Sequence, residues 1–388
     1  MRTRTRWSAA VAVLAALMVV AAACVPDPPA TPTGPNPDDA PRSAEAAYTG
    51  PGPFAVGVTT LDLADRKVEV WYPSDPAAVG STPQDEYFIK DFVSASLRTQ
   101  IPDDVNPAFA TSAHRGIPAS DAGPFPLVLF SHGFASYRLQ STFLTTHLAS
   151  WGFVVISPDY LERGLASVLG EKPAIARTDV DVAAEAIDRI TTADDTPGGL
   201  LSGVVDTSSV YPIGHSAGGG TTLRLLGRPD VHSAIPMAAG VSRLSLAQGT
   251  APALPPEKAV MWMGAEGDQV ASIADVRTGF TYTAGPRKLV ELGGSGHNTF
   301  DDICLIGGGG GVIGLALSIG LPLPDFLIRL GADGCYPPAK TVSDVWPEIR
   351  HFATAELRYR SGLDAEPVGL GSGVTAAFDD VAVYRHEP

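Results

Sequence analysis

Positive charge is scarce in this chain. Its 27 Lys and Arg face 42 Asp and Glu, a formal net charge of −15 and a pI near 4.9. Such a surface could not neutralise a row of phosphates, so nucleic acid is excluded as a partner. The acidity otherwise implies only a well-dispersed, soluble protein. Cysteine is rarer still, with three in 388 residues. No ligand cluster has zinc spacing and no glycine-rich phosphate loop is present, so neither metal nor cofactor is implied. No internal repeat is visible. Long apolar runs are also lacking. The one at residues 9–23 is short of the roughly 20 residues a bilayer needs, and the uncharged stretch 305–324 is broken by glycines and prolines.

What is present begins with a targeting segment. Arg2, Arg4 and Arg6 precede the small apolar run, Cys24 closes it, and proline-rich sequence follows at once, as in an export signal. Ala21-Ala22-Ala23-Cys24 resembles a bacterial lipobox, in which Cys24 becomes a lipidated first residue; plain cleavage after an A-x-A site is the alternative. Loss of residues 1–23, which carry three basic residues and no acid, leaves a net charge of −18. Residues 24–47 hold seven prolines and no apolar period. They are expected to form a semi-extended tether reaching ~70 Å at about 3.1 Å per residue. The two remaining cysteines, Cys304 and Cys335, are an even pair in an exported chain, and a disulfide is the expectation.

Residues 48–388 read as one catalytic domain. Apolar strands are expected at 67–73, 125–130, 153–157, 209–213, 234–237, 259–263 and 288–292. Helices are expected at 86–97, 141–150, 179–190, 219–226 and 344–360. Such alternation builds a mostly parallel, doubly wound α/β sheet. Everything is organised around Gly214-His215-Ser216-Ala217-Gly218, between a buried strand and a helix that starts on small residues. A G-x-S-x-G in that setting is a nucleophile elbow, a bend so tight that glycine is needed on either side of the exposed serine.

A serine on such an elbow is followed along the chain by an acid and then a histidine, each at the carboxyl end of a strand. Of the later histidines, His232 precedes the expected acid, His351 falls in the C-terminal helix and His386 in the tail. His297, after Gly293-Gly294-Ser295-Gly296, is the candidate base. Asp268 ends the turn Gly264-Ala265-Glu266-Gly267-Asp268 and is the candidate acid, with Glu266 and Asp275 as rivals. The oxyanion donors should be the amide of Ala217 and one from the loop His132-Gly133-Phe134, Phe134 first and Gly133 next. His132 and His215 are expected to brace the loops rather than to react.

Phe130-Ser131-His132-Gly133, the serine elbow, Gly264-Ala265-Glu266-Gly267-Asp268 and Gly296-His297 together resemble the α/β-hydrolase superfamily. With Val68-Glu69-Val70-Trp71-Tyr72-Pro73 they are most similar to its group of platelet-activating-factor acetylhydrolases, chlorophyllases and cutinase-like polyester hydrolases. The resemblance spans about residues 54–300 and implies ester hydrolysis. Dienelactone hydrolases share the scaffold with a cysteine where Ser216 stands. The polyester hydrolases carry a tryptophan after the sixth strand, where this chain has Pro236-Met237-Ala238-Ala239-Gly240. Residues 305–330, with five glycines from Gly307 to Gly311, lie inside the expected Cys304–Cys335 loop. They form either a buried core hairpin or an apolar flap that takes an acyl chain or leans on lipid.

The expectation is therefore an exported serine carboxylic-ester hydrolase of the cell envelope or secreted, with a small-molecule or lipid-like ester as substrate. A serine peptidase or acyltransferase would use the same residues. A lipid-binding lipoprotein on a retired scaffold would not need all three.

Overall fold

Alternation along the strands sorts the apolar side chains onto two faces of one sheet. Val128 and Phe130 face one cluster, Leu127 and Leu129 the other; Met261 and Met263 oppose Val260 and Trp262 in the same way. The computed structural model describes residues 44–106, 108–307 and 310–388. Ten strands make the main sheet: β1 (Ala55–Asp62), β2 (Lys67–Ser74), β3 (His114–Arg115), β4 (Phe125–Ser131), β5 (Val154–Pro158), β6 (Val205–His215), β7 (Ser233–Met237), β8 (Ala259–Ala265), β9 (Arg287–Leu292) and β10 (Val381–Glu387). Their spatial order is β10-β9-β8-β7-β6-β4-β5-β2-β1-β3. From β9 to β5 all neighbours run parallel, while β2 and β10 join antiparallel at either end. The chain therefore leaves β4 toward one edge and returns through β6 toward the other. The gap at the carboxyl ends of β4 and β6 is the switch point at which such sheets hold ligands.

Among the described residues seven helices have eight or more residues: α1 (Thr142–Ser150), α2 (Asp179–Asp194), α3 (Ala217–Leu225), α4 (Ile273–Tyr282), α5 (Gly311–Ser318), α6 (Asp325–Ala332) and α7 (Val342–Ser361). Leu144 and Leu148 of α1 and Ile349 and Phe352 of α7 join the cluster of Val128 and Phe130. Ala183, Ile187 and Ile190 of α2, Leu223 of α3 and Phe280 of α4 cover the opposite face. Truncating a fully buried side chain such as Phe130 to alanine would cost about 3–5 kcal/mol. Among the described residues no helix is long and apolar enough to cross a membrane.

Three expectations change. The helix expected at 86–97 is absent: the chain makes a strand pair with Glu86–Tyr87, a 3-10 turn at Ile89–Phe92 and one helical turn at Ala95–Arg98 capped by Ser94. The rings of Tyr87 and Phe92 pack on Tyr137, and this tertiary packing overrides the i, i+4 spacing of Ile89, Val93 and Leu97. Strand β1 and the edge strands β3 and β10 have no counterpart among the expected strands. Ala44–Ala46 form a 3-10 turn, and Ala46 and Ala47 pack on the core, so residues 44–47 belong to the folded domain; the rest of the expected tether, residues 24–43, lies outside the described residues. Cys24, its lipidation and the signal lie outside the described residues.

Cys304 and Cys335 are disulfide-bonded, closing a loop of sequence separation 31. Its uncharged stretch is not a hairpin. It folds into α5, followed by α6, and both helices flank the carboxyl ends of the strands, where Ser216 also stands.

Candidate active site

β6 ends at His215 and α3 begins at Ala217, so the whole reversal falls on Ser216. Its φ of 55° and ψ of −120° are costly for a residue with a Cβ, of order 1–3 kcal/mol. Glycine on either side makes the bend possible. A Cβ on Gly218 would lie 1.9 Å from the carbonyl oxygen of Ser131 on β4, and one on Gly214 2.6 Å from that of Gly218.

The turn after β8 carries Asp268 and the turn after β9 carries His297, whose rings and carboxylate are buried. His297 Nε2 is 3.0 Å from Ser216 Oγ, and His297 Nδ1 is 2.8 Å from Asp268 Oδ2. Asp268 Oδ1 accepts the amides of Val270 and Ala271, each at 2.7 Å, which fixes the carboxylate plane. With Nδ1–H given to Asp268, Nε2 presents its lone pair to the serine hydroxyl. The rival acids stand elsewhere: Glu266 is exposed, and Asp275 sits in the first turn of α4. His232, His351 and His386 are likewise remote from Ser216 in the chain's fold, on the β7 approach, on α7 and on β10.

The loop after β4 sorts its own amides. Gly133 N–H donates to Gln140 Oε1 at 2.7 Å and Ala135 N–H to the carbonyl of Arg163 at 2.8 Å. Ser216 N–H donates to Met237 O at 2.8 Å. Among the described residues the amides of Phe134 and Ala217 have no such acceptor. Gly133, the second choice from sequence, is thus occupied.

The two neighbouring histidines are braces. His132 takes the Tyr160 amide on Nε2 (3.0 Å) and gives Nδ1–H to Gly133 O (2.9 Å); burial, helped by Arg163, pushes its pKa down to about 3. His215 accepts from Gln140 Nε2 on Nδ1 (2.6 Å) and donates Nε2–H to the carbonyl of His297 (2.9 Å). Burial, then the neighbouring His297, holds it neutral, well below the usual imidazole range. Gln140 had no local signal in the sequence, and neither did Asp333, described below.

From Ser216 an apolar cleft runs outward between three segments. It is lined by Ile89, Val93, Leu97 and Ile101, by Leu165 and Leu169, and by Ile313, Ala316, Ile319 and Leu327 of the disulfide-closed loop. Gln140, Ser216, His297, Asn298 and Asp301 supply its polar end. The arrangement suits a substrate with one reacting polar bond and a long apolar part. Among the described residues no three His, Cys, Asp or Glu gather as metal ligands would. The stretch Pro236-Met237-Ala238-Ala239-Gly240, at the end of β7 and just beyond it, contains no aromatic ring.

Two family models match this chain. One, described as PET hydrolase-like, covers residues 114–303 and so includes Ser216, Asp268 and His297. The other, platelet-activating factor acetylhydrolase isoform II, covers residues 43–173 and includes the loop of Phe134. No curated protein matches it. Both families are serine-type esterases, and the parallel sheet with a strained serine between β6 and α3 is the scaffold they require. On the fold and these two matches together, the chain has the α/β-hydrolase fold and is a carboxylic-ester hydrolase.

Proposed function

We propose that the chain is an exported hydrolase that cleaves esters of apolar acyl groups through Ser216, His297 and Asp268. The chain of contacts from Ser216 Oγ to His297 to Asp268, opening onto the apolar cleft, carries this reading. Ser216 Oγ attacks the acyl carbon as His297 Nε2 takes its proton. Asp268 holds the ring in the tautomer that can do so and stabilises the imidazolium that results. The amides of Phe134 and Ala217 hold the oxyanion, a contribution of the order of 10²–10³ in kcat per donor. His297 returns the proton to the leaving alcohol, and water, activated by the same imidazole, then releases the acid from Ser216. The acyl chain lies along Ile89, Val93, Ile319 and Leu327, where each buried CH₂ contributes about 0.8 kcal/mol.

The disulfide supports an oxidising compartment. Removal of residues 1–23 with lipidation of Cys24 would tether the enzyme to a membrane surface through residues 25–43. An intact mass of the mature protein with an unmodified N-terminus would sink the lipid anchor and leave a secreted enzyme.

The test of the activity is hydrolysis of p-nitrophenyl esters over a range of acyl lengths, wild type against Ser216→Ala. The variant should lose at least about 10⁴-fold in kcat. A Ser216→Ala enzyme that still turns over sinks the assignment of the nucleophile.

A further inference from the structure

We propose that Asp333, at the end of the disulfide-closed loop, is a positioning residue that holds the acid and base turns in register. The inference rests on the triad reading above. Asp333 Oδ1 accepts the main-chain amide of His297 at 3.0 Å, and Oδ2 accepts that of Gln269, the residue after Asp268, at 2.8 Å. One carboxylate thus bridges the two turns whose side chains meet at 2.8 Å.

Its own place is over-determined. The carbonyl of Asp333 accepts the Asn298 amide at 3.0 Å, and Asn298 Nδ2 donates to the carbonyl of Leu330 at 2.7 Å. The Cys335 bridge, two residues on, ties the same segment to Cys304, shortly after the His297–Phe300 turn. The base turn has glycine where the carboxylate arrives: a Cβ on Gly296 would lie 2.4 Å from Asp333 Oδ1. Gly334, at φ +85°, then lets the chain turn away. A main-chain bond from Gly267 N–H to Ser295 O (2.8 Å) joins the same turns on the N-terminal side of Asp268 and His297. Asp333 adds a side-chain bridge that holds the amide of His297 itself and that of the residue after Asp268, where a shift of about 1 Å costs roughly 10²-fold in rate.

The experiment compares Asp333→Ala, Asp333→Asn and Ser216→Ala in the full chain on p-nitrophenyl butyrate. Active sites are counted by fluorophosphonate titration, so that kcat is per folded, reactive site. Asp333→Ala should lose about ten- to a hundred-fold in kcat with KM changed less than about two-fold. Asp333→Asn keeps one acceptor and should lose less. A residue that only shapes the cleft would move KM, and one that only supports folding would lower the count of sites and leave kcat per site intact. A wild-type kcat per site in either folded variant, or a loss confined to KM, overturns the proposal; if the alanine variant does not fold, the asparagine variant decides. An active Ser216→Ala enzyme would instead overturn the triad reading itself.

Discussion

Gln140 Oε1 accepts the amide of Gly133 at 2.7 Å, and that contact sets which peptide of the loop after β4 remains free beside Ser216. The same side chain gives Nε2–H to His215 at 2.6 Å and to Asp301 Oδ2 at 3.1 Å. Since His215 in turn donates to the carbonyl of His297, a single neutral side chain links the loop of Phe134 to the backbone of the base. Burial keeps Asp301 well above the ordinary carboxyl range, so the network carries little charge in a dry site.

The first prediction concerns this link. Gln140→Leu leaves the Gly133 amide unpaired and free to turn, and it unties His215. Turnover of p-nitrophenyl butyrate should fall about ten-fold or more, with KM little changed, because an oxyanion donor is misplaced rather than a binding surface lost. Unchanged turnover would show that the loop holds its shape without Gln140.

A second prediction concerns chain length. Ala316 lies on α5 along one wall of the cleft, and Ala316→Trp would fill the channel beyond the first carbons of an acyl chain. Hydrolysis of p-nitrophenyl decanoate should fall at least about ten-fold relative to that of the acetate, since several CH₂ groups worth about 0.8 kcal/mol each lose their place. A parallel fall on both esters would mean that the chain does not run along α5.

The disulfide supplies a third. Replacing both Cys304 and Cys335 by serine opens a loop of separation 31, for which chain entropy gives a loss of about 3.5 kcal/mol. Urea unfolding should register this as a lower midpoint at similar slope. A midpoint equal to that of the wild type would mean that helix packing alone defines the loop.

The fourth is a pH dependence. His351 on α7 is buried; its Nδ1 accepts the Tyr48 amide (3.3 Å) and its Nε2–H donates to Gly369 O (2.9 Å). Burial lowers its pKa from 6.5 to about 4, against a small opposing effect of the Gly369 bond. The unfolded chain therefore takes the proton first. Stability is complete above about 6.5 and is lost as pH falls toward 4, by up to about 3 kcal/mol from this group. His351→Gln, which has no proton to gain, should lose less Tm than the wild type between pH 7 and 4.5. Equal losses would assign the acid sensitivity to other buried groups, His132 among them.

Much of this protein is written locally. Strands such as Phe125–Ser131 and Ala259–Ala265 are unbroken apolar runs because both their faces are covered, and such runs need no partner to be read. The serine elbow is legible for a similar reason: steric exclusion at Gly214 and Gly218 leaves no other residue type, and the order of acid and base follows from strand order. Residues 86–101 misled because their apolar spacing serves a cleft wall built on irregular backbone, and spacing alone does not separate that from a helix. Asp333 and Gln140 carry no local sign at all. Asp333 meets its amide partners 36 and 64 residues away, and Gln140 meets His215 at a separation of 75. Those meetings exist only once β4, β6, β8 and β9 have stacked in parallel and brought their carboxyl ends together. The meeting of Ser216, Asp268 and His297 could therefore be anticipated from residue types and order. The tertiary packing alone decided what holds them at hydrogen-bond distance, and which apolar wall a substrate meets.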